Sequence, residues 1–297
     1  MTTSTLPALD AIARDSGALA MVAMDQRESL RAMFDQAGAG RPADAVLIDF
    51  KIAVARALGP LASGFLIDRH YGFPQIRDAL PIRTGLILAA DALTQQDGGP
   101  VEETALDDVV LAAEQDLDGV AALKLLIIWR RDAHREARVA LADRFVREAR
   151  ARGLLSVLEP VVRATPAELD AGTWDLDAAI REAAQELSPL GASLYKAQVP
   201  LAGRGSAAEQ ARASEALGAV VRGPWVVLSQ GVDQDRFHDA VVAACRGGAS
   251  GFLAGRALWS DVVGMPDVAH GLRERSVPRL ERLVEAVDRE ARPWSEA

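Results

Sequence analysis

Cysteine and histidine are scarce in this chain of 297 residues, which excludes two kinds of site. Cys245 is the single cysteine, so no disulfide can form within the chain and nothing indicates an oxidising compartment. The four histidines lie far apart in sequence, and none belongs to an HxH or HExxH motif. Because transition-metal centres need closely spaced ligands, the sequence predicts no metal, and no motif in it predicts a cofactor.

Basic clusters and long apolar runs are also lacking. The formal charge is −9, from 33 Lys and Arg against 42 Asp and Glu, so binding to nucleic acid or to an anionic membrane is not expected. No segment reaches the ~18 uninterrupted apolar residues that span a bilayer. The N-terminus has no basic region followed by an apolar run, so it does not resemble a signal peptide. These absences predict a cytoplasmic protein.

Short apolar runs are the most regular feature that the sequence does have. Each is followed by a polar loop and then by a segment of helical periodicity. The eight runs are Leu19–Asp25, Ala62–Asp68, Gly85–Asp91, Ala122–Ile128, Leu154–Glu159, Ala192–Val199, Pro224–Gln230 and Ala249–Ala254. Continuous apolar character is typical of parallel strands that are covered on both faces.

The segments between these runs are predicted to be amphipathic helices. Three stand out: Ala133–Arg152, Arg279–Arg292 and Asp233–Arg246, the last opened by Asp233 as an N-cap and closed by Gly247. Eight strand-then-helix units predict an α/β protein in which residues 1–297 form one single-domain (β/α)8 barrel with an extra N-terminal helix. A doubly wound open sheet is the alternative, but no GxGxxG or GxxxxGK[ST] motif follows any predicted strand.

Three polar segments are longer than the other connections and follow the third, fifth and sixth predicted strands. They are Thr94–Glu103, Arg163–Asp175 and Pro200–Ala207. The loops that follow barrel strands lie at the face that carries the active site in such folds. Long loops are therefore expected there in an enzyme.

Charged residues interrupt three of the predicted strands: Lys124, Glu159 and Lys196. A buried Lys or Glu is costly unless it is paired, so each indicates either a structural ion pair or a working site. Leu194, Lys196 and Gln198 share one face of the sixth strand, which lets Lys196 point into the barrel.

The catalytic interpretation makes Lys196 a Schiff-base nucleophile. An amine attacks a carbonyl only when neutral, and apolar surroundings with Lys124 as a second cation would lower the pKa of Lys196 from ~10.4 towards roughly 7–8. Glu159 would then shuttle protons. The alternative is a buried Lys–Glu pair that only holds strands together.

Glycines surround the seventh and eighth predicted strands, in Leu228–Gly231 and Gly247–Arg256. Loops in these positions commonly bind phosphate, because glycines let backbone N–H groups approach the oxyanion. Arg256 would add a bidentate grip. The alternative is that the glycines form ordinary turns and that Arg256 is a surface charge.

A third polar group lies at the ends of the first two predicted strands and between them. It comprises Asp25, Gln26, Arg27, Lys51, Asp68 and Arg69. The aspartates are candidates for binding substrate hydroxyls, and the cations are candidates for a second anion. Asp91 ends the third strand in the same way and is interpreted as an ordinary turn residue.

Several of these motifs, in this order, resemble the class I aldolases of the tagatose-bisphosphate aldolase family. They are Met24–Glu28, Ala122–Leu126, Leu158–Pro160, Leu194–Lys196, Leu228–Ser229 and Gly251–Arg256, and the resemblance runs from about residue 10 to about residue 290. The stretches KLLIIWRRD, LEPVVR and LYK look closer to the members that cleave sulfofructose phosphate. The chain departs from the family pattern at Gln198 and Gln230.

The resemblance implies a metal-independent barrel, usually a homo-oligomer, that cleaves 6-deoxy-6-sulfofructose 1-phosphate to dihydroxyacetone phosphate and sulfolactaldehyde. It places the Schiff base on Lys196, the acid/base role on Glu159, and Lys124 beside them. The implied substrate-binding residues are Asp25, Gln26, Arg27, Lys51 and Asp68, with Ser229, Gly231, Gly255 and Arg256 around the C1 phosphate.

Two other functions remain open from the sequence. One is an aldolase for tagatose or fructose 1,6-bisphosphate, which would share every catalytic residue and differ at the distal anion. A sulfonate carries one negative charge, whereas a phosphate monoester carries about −1.5 to −2, so one or two distal cations would distinguish them. The candidate cations are Arg27, Lys51, Arg69, Arg130 and Arg131. The other function is a catalytically silent regulator that binds sugar phosphates.

Overall fold

The computed structural model describes residues 8–95 and 99–297, and its strands build one closed barrel. The strands are β1 (Leu19–Met24), β2 (Gly64–Ile67), β3 (Gly85–Ala89), β4 (Asp91–Gln95), β5 (Val101–Leu106), β6 (Val120–Trp129), β7 (Leu155–Val162), β8 (Leu194–Ala197), β9 (Trp225–Val227) and β10 (Gly251–Ala254). All except β4 and β5 are parallel members of the barrel. The predicted (β/α)8 fold is confirmed, and each predicted apolar run supplies one barrel strand.

Helices occupy most of the connections between barrel strands. They are α1 (Glu28–Phe34), α2 (Asp44–Leu58), α3 (Phe73–Ala79), α4 (Arg135–Ala151), α5 (Pro166–Asp170), α6 (Leu176–Leu187), α7 (Ala207–Gly218), α8 (Phe237–Arg246), α9 (Arg256–Trp259), α10 (Val268–Gly271) and α11 (Val277–Glu290). Within residues 8–95 and 99–297, none has both the length and the apolar character that crossing a bilayer requires.

The helix predicted at Asp233–Arg246 differs from the observed one at its start. A 3-10 turn, Gln234–Arg236, precedes α8, and the Asp233 side chain accepts no hydrogen bond from the turn that follows it. Its carboxylate instead lies 3.7 Å from the Arg236 guanidinium. The predicted N-cap role of Asp233 is therefore wrong, because a nearby cation engages the side chain.

Alternate residues of the barrel strands face the interior or the surrounding helices, as the two-residue period of a strand requires. In β1, Leu19, Met21 and Ala23 belong to the inner core, whereas Ala20 and Val22 belong to the outer core against the helices. Both faces of each strand are thus covered, which explains why the sequence shows continuous apolar runs instead of alternation.

The N-terminal end of the barrel is closed by a short 3-10 helix, Leu9–Ile12. Leu9 and Ile12 are buried in the inner core. Gly85, at the start of β3, permits this close approach, because a Cβ there would lie 2.0 Å from the Ala11 carbonyl oxygen. From residue 8 onward, the predicted extra N-terminal helix corresponds to this one 3-10 segment.

An antiparallel hairpin of β4 and β5 replaces the loop predicted at Thr94–Glu103. Residues 96–98 of that segment lie outside the described part of the chain. The other two predicted loops hold short elements: α5 lies in Arg163–Asp175, and a tight turn in Pro200–Ala207 has positive φ at Leu201 and Ala202.

Candidate active site

A cavity of about 490 Å³ opens where the carboxyl ends of the barrel strands meet. This is the size of a small-molecule site and the place where enzymes of this fold keep their chemistry. Nine of the predicted site residues line it: Asp25, Gln26, Arg27, Lys124, Glu159, Lys196, Ser229, Gly255 and Arg256. The structure therefore brings together residues from six barrel strands or their following loops.

Lys196 and Glu159 form a direct pair inside this cavity. The Lys196 Nζ lies 2.9 Å from Oε1 of Glu159. Lys196 projects inward from β8 and Glu159 from the neighbouring strand β7, and both side chains are buried. A proton can pass between the amine and the carboxylate at this distance without an intervening water.

Lys124 lies beside this pair and contacts three carboxylates. Its Nζ is 2.7 Å from Asp25, 3.0 Å from Asp91 and 2.9 Å from the second oxygen of Glu159. Burial by itself would lower the pKa of Lys124, but the three negative charges outweigh it and hold that pKa well above its ordinary value. Lys124 is therefore a fixed cation.

The same charges act in reverse on Asp25. Burial would raise the pKa of this carboxyl group, but the ammonium groups of Lys124 and Lys196, together with Arg27, hold it well below its usual range. Asp25 is thus an ionised acceptor at the cavity wall. It is suited to accept hydrogen bonds from substrate hydroxyls.

Asp91, predicted to be an ordinary turn residue, belongs to the charged cluster around Lys124. Its carboxylate contacts Lys124, accepts a hydrogen bond from the Leu126 backbone N–H at 3.0 Å, and pairs with the Arg27 guanidinium at 2.8 Å. Asp91 is fully buried at the start of β4. It therefore connects the hairpin to the charged cluster and occupies Arg27.

Two predicted substrate-binding residues, Lys51 and Asp68, do not line the cavity. Both side chains are fully buried, and the Lys51 ammonium donates a hydrogen bond to the Asp68 carboxylate. The other oxygen of Asp68 accepts backbone N–H bonds from His70 at 2.9 Å and Tyr71 at 3.0 Å. In this geometry the pair lies outside the cavity, and the two groups satisfy each other and a turn, so their contact with substrate stays a prediction.

The ends of β9 and β10 form the opposite wall of the cavity. Ser229 follows β9, and its hydroxyl accepts the Gly255 backbone N–H at 3.4 Å. Gly255 needs to be glycine, because a Cβ there would lie 2.8 Å from the Ala23 carbonyl oxygen. Arg256 follows and faces the cavity, whereas Gly231, two residues beyond Ser229, is exposed and does not line it.

The five cations predicted as candidates for a second anion are all ion-paired with carboxylates. These pairs are Arg27 with Asp91, Lys51 with Asp68, Arg69 with Asp107, Arg130 with Glu102, and Arg131 with Glu168 and Glu182. Two other arginines that line the cavity, Arg163 and Arg256, make no ion pair within the described part of the chain. They supply the uncompensated positive charge of the site.

Arg163 was not among the predicted site residues. It directly follows β7, and with Glu159 and Val161 it faces the cavity at every second position. Its Nε is buried with no hydrogen-bond partner in the described residues. Burial lowers the pKa of Arg163, the charge of Glu102 opposes this, and the charges of Arg130 and Arg256 lower it further.

The two departures from the family pattern have different positions. The Gln198 side-chain oxygen accepts the Val162 backbone N–H at 2.7 Å, so this residue supports the end of β7. Gln230 lines the cavity beside Ser229. In the described residues no group of three His, Cys, Asp or Glu side chains is placed to hold a metal ion.

Comparison with known proteins finds similarity to aldolases. A family model described as DeoC/LacD family aldolase matches residues 19–261. Tagatose 1,6-diphosphate aldolase from Listeria monocytogenes serovar 1/2a is 28% identical, covering 96% of this chain and 92% of its own length. Tagatose 1,6-diphosphate aldolase 2 from Streptococcus pyogenes serotype M1 is 26% identical, covering 94% of each chain.

Solved structures share the fold at lower identity. Fructose-bisphosphate aldolase from Plasmodium falciparum superposes with a TM-score of 0.69 at 14% identity, over 95% of this chain and 93% of that one. An archaeal fructose-1,6-bisphosphate aldolase, solved with its catalytic Lys bound to the carbinolamine intermediate of the substrate, gives 0.61 at 15% identity, over 94% and 98%. At these identities the likeness establishes the architecture alone.

Proposed function

The chain belongs to the DeoC/LacD family of aldolases, and from this premise we propose that it cleaves a ketose 1-phosphate through a Schiff base on Lys196. Membership makes the protein a lyase that breaks a carbon–carbon bond. The observation that carries the Schiff-base proposal is the buried contact of Lys196 with Glu159 inside the cavity. A nucleophile and a proton acceptor at this distance are what imine chemistry requires.

The reaction begins when Glu159 takes a proton from Lys196. The neutral amine adds to the C2 carbonyl, and Glu159 gives its proton to the oxygen to form the carbinolamine. Glu159 then takes the extra proton from the nitrogen and passes it to the hydroxyl group, so that water leaves, an iminium forms and Glu159 is a carboxylate again. Glu159 then takes the C4 hydroxyl proton, the C3–C4 bond breaks, the aldehyde leaves, and the iminium accepts the electron pair as an enamine that Glu159 can protonate at C3. Protonation of C3 and addition of water release dihydroxyacetone phosphate and restore Lys196.

The C1 phosphate fits the wall made by Ser229, Gly255 and Arg256. Burial lowers the pKa of Arg256, although the charges of Glu159 and Asp25 oppose this, so the guanidinium is a poorly hydrated cation. Such a group gains most from a bound anion and pairs with phosphate oxygens through two N–H donors. Lys196 on β8 lies next to β9, so a ketose with C2 at Lys196 would have its C1 phosphate near this wall.

For the substrate we favour 6-deoxy-6-sulfofructose 1-phosphate, cleaved to dihydroxyacetone phosphate and sulfolactaldehyde. Its support is the charge of the cavity. Asp25, Asp91 and Glu159 are matched by Lys124, Lys196 and Arg27, so this cluster contributes little net charge. Arg256 is engaged by the C1 phosphate, which leaves Arg163 as a single cation for the other end. One cation matches a sulfonate better than a phosphate monoester.

Tagatose or fructose 1,6-bisphosphate is the second candidate, and the comparison with the Listeria and Streptococcus enzymes favours it. The mechanism would be the same, and only the distal group would change. A coupled assay of dihydroxyacetone phosphate release separates the two candidates. A higher kcat/KM for the sulfonate is expected, and an equal or higher value for the bisphosphates would replace the first candidate with the second.

Borohydride trapping tests the Schiff base. Incubation with dihydroxyacetone phosphate and borohydride should attach one triose to Lys196, and Lys196→Ala should abolish both trapping and turnover while the barrel remains folded. Peptide mass spectrometry locates the adduct, and thermal unfolding checks the fold. Trapping that persists in Lys196→Ala would contradict the assignment.

A further inference from the structure

We propose that Arg163 binds the distal anion of the substrate and that its single guanidinium selects a singly charged group. This inference rests on the proposed function and deepens it. The five cations that the sequence offered for the distal anion are all ion-paired with carboxylates, whereas Arg163 lines the cavity and has no such partner in the described residues. The residue therefore determines specificity at the end of the sugar that takes no part in bond cleavage.

The order of the strands gives Arg163 its place relative to the reacting carbon. Lys196 lies on β8, the C1 phosphate wall follows β9 and β10, and Arg163 follows β7 on the other side of β8. A ketose that holds C2 at Lys196 and its phosphate at Arg256 extends its remaining carbons away from β9. Arg163 lies in that direction.

The height of Arg163 also suits the distal end. Glu159, Val161 and Arg163 line the cavity in succession, and four residues of strand span about 13 Å towards the mouth. Arg163 thus stands nearer the mouth of the cavity than the reacting pair, and its long side chain can reach back over Val161. A six-carbon chain leads from the reacting pair towards this level.

The backbone around Arg163 is held by specific hydrogen bonds. The Arg163 N–H donates to the Trp129 carbonyl oxygen at 2.9 Å, and the preceding Val162 N–H donates to the Gln198 side chain at 2.7 Å. The guanidinium itself has a buried Nε without a partner in the described residues. A fixed backbone with an unsatisfied donor is the arrangement that a bound anion completes.

The neighbours of Arg163 limit its charge to that of one cation. Two other cations act on it, Arg130 and Arg256. Arg130 is paired with Glu102 at 2.8 Å, so these two charges cancel, and Arg256 is taken up by the C1 phosphate in the proposed function. A sulfonate needs one positive charge, and its three oxygens accept the N–H donors of one guanidinium. A phosphate monoester, with nearly twice the charge, would be left partly uncompensated.

The test compares three ketose 1-phosphates that differ only at C6: a sulfonate, a phosphate and a hydroxyl. Arg163→Met should lower kcat/KM about 100-fold for the sulfonate, because a buried charge pair is lost, and change it little for fructose 1-phosphate. Arg204→Met is the matched control, since Arg204 is exposed after β8 and outside the cavity. It should leave all three values unchanged.

A second variant tests charge selection directly. Glu102→Gln removes the partner of Arg130 and leaves the Arg130 charge uncompensated close to Arg163. The ratio of kcat/KM for fructose 1,6-bisphosphate to that for the sulfonate should then rise about tenfold. A purely structural role of Arg163 predicts no such change in the ratio.

The outcomes separate the two proposals. Cleavage of all three substrates with the same preference in wild type and Arg163→Met overturns the role of Arg163 and leaves the aldolase mechanism standing. Absence of cleavage by the wild type overturns the proposed function and the Arg163 assignment with it. If Arg163→Met does not fold, as judged by thermal unfolding, Arg163→Lys decides, because it keeps the charge and loses the fork. Its kcat/KM for the sulfonate must fall, while that for fructose 1-phosphate stays unchanged, or the inference is wrong.

Discussion

Glu159 is the residue at which the two lysines of the site meet. Each of its carboxylate oxygens faces a different ammonium group, Oε1 towards Lys196 and Oε2 towards Lys124. The carboxylate can therefore exchange protons with one lysine while the other fixes its orientation. Removing the carboxylate of Glu159 should therefore affect catalysis, whereas removing the ammonium group of Lys124 should affect stability.

Glu159→Gln should keep the shape of the side chain and lose proton transfer. We expect kcat to fall about 10²–10⁴-fold, the usual contribution of a general acid–base, with ketose phosphate still bound. Single-turnover kinetics and equilibrium binding measure the two effects separately. Glu285→Gln, on the exposed side of α11, is the control, and near-normal turnover of Glu159→Gln would contradict a role in proton transfer.

Lys124→Met should destabilise the protein, because it leaves the buried carboxylates of Asp25 and Asp91 without their shared cation. Breaking a buried ion pair from one side costs about 3–5 kcal/mol, so the free energy of unfolding at pH 7 should fall by about that amount. Urea denaturation followed by tryptophan fluorescence measures it. An unchanged midpoint would show that the cluster does not depend on Lys124.

The directions of the pKa shifts predict how the stability lost in Lys124→Met should vary with pH. The pKa of Asp25 is lowered in the folded state, so its stabilising contribution is present above its unfolded value of about 3.9 and is lost as the pH falls towards the folded value. The pKa of Lys124 is raised, so its contribution is present below about 10.4 and is lost as the pH rises through the folded value. The deficit of Lys124→Met should therefore shrink below about pH 4, as the carboxylates protonate.

Lys124, Glu159 and Lys196 could be predicted because each interrupts an apolar strand, where a charge demands an explanation. Asp91 and Arg163 gave no such signal, since both stand at a strand end, where polar residues are common. Arg163 could have been found by continuing the two-residue period from Glu159. Asp91 could not, because its partners Arg27 and Lys124 are distant in sequence.

At the scale of elements, the eight barrel strands were predictable and the β4–β5 hairpin was not. Barrel strands are apolar on both faces, which makes continuous runs that stand out in sequence. The hairpin is short and mostly polar, and it pairs only with itself, so nothing in its sequence distinguishes it from a loop. The position of the hairpin nevertheless matters, because its first residue, Asp91, belongs to the charged cluster.

The 3-10 helix at the floor of the barrel offers a test at the same scale. Gly85→Ala would place a methyl group against the Ala11 carbonyl oxygen and force Leu9–Ile12 outward. Overpacking of this kind costs about 1–3 kcal/mol, so we expect the free energy of unfolding to fall by about that amount. Urea denaturation is the measurement, and kcat should be retained because the floor lies opposite the cavity. Unchanged stability would mean that the helix is not needed to close the barrel.

In the whole molecule, one closed sheet directs the chemistry to one end. The strands carry their polar side chains at their carboxyl ends, while the opposite end holds the apolar contacts of Leu9 and Ile12. The net charge of −9 is spread over the protein, whereas the cavity presents Arg163 and Arg256. An acidic protein can therefore still take an anionic substrate, because the charge that matters is local.

Removal of metal ions by a chelator should change neither the activity nor the stability of the enzyme. The carboxylates of Asp25, Asp91 and Glu159 converge on the Lys124 ammonium, which occupies the centre where they could otherwise meet a cation. Prolonged treatment with EDTA should change neither kcat nor the melting temperature. Loss of activity that is restored by a divalent metal would contradict the Schiff-base route.

The regular spacing of inward-facing residues along β7 and just beyond it sets the distance between the reacting pair and the distal cation, and therefore the length of sugar that fits. The inward-facing residues Glu159, Val161 and Arg163 follow one another at intervals of about 6–7 Å, which is the rise of two residues along a strand. Exchanging Val161 and Arg163 would move the positive charge one inward-facing position deeper into the cavity and leave Lys196 and Glu159 unchanged. The positive charge would then lie closer to the reacting pair, so a substrate with a shorter chain between C2 and its distal anion would fit better.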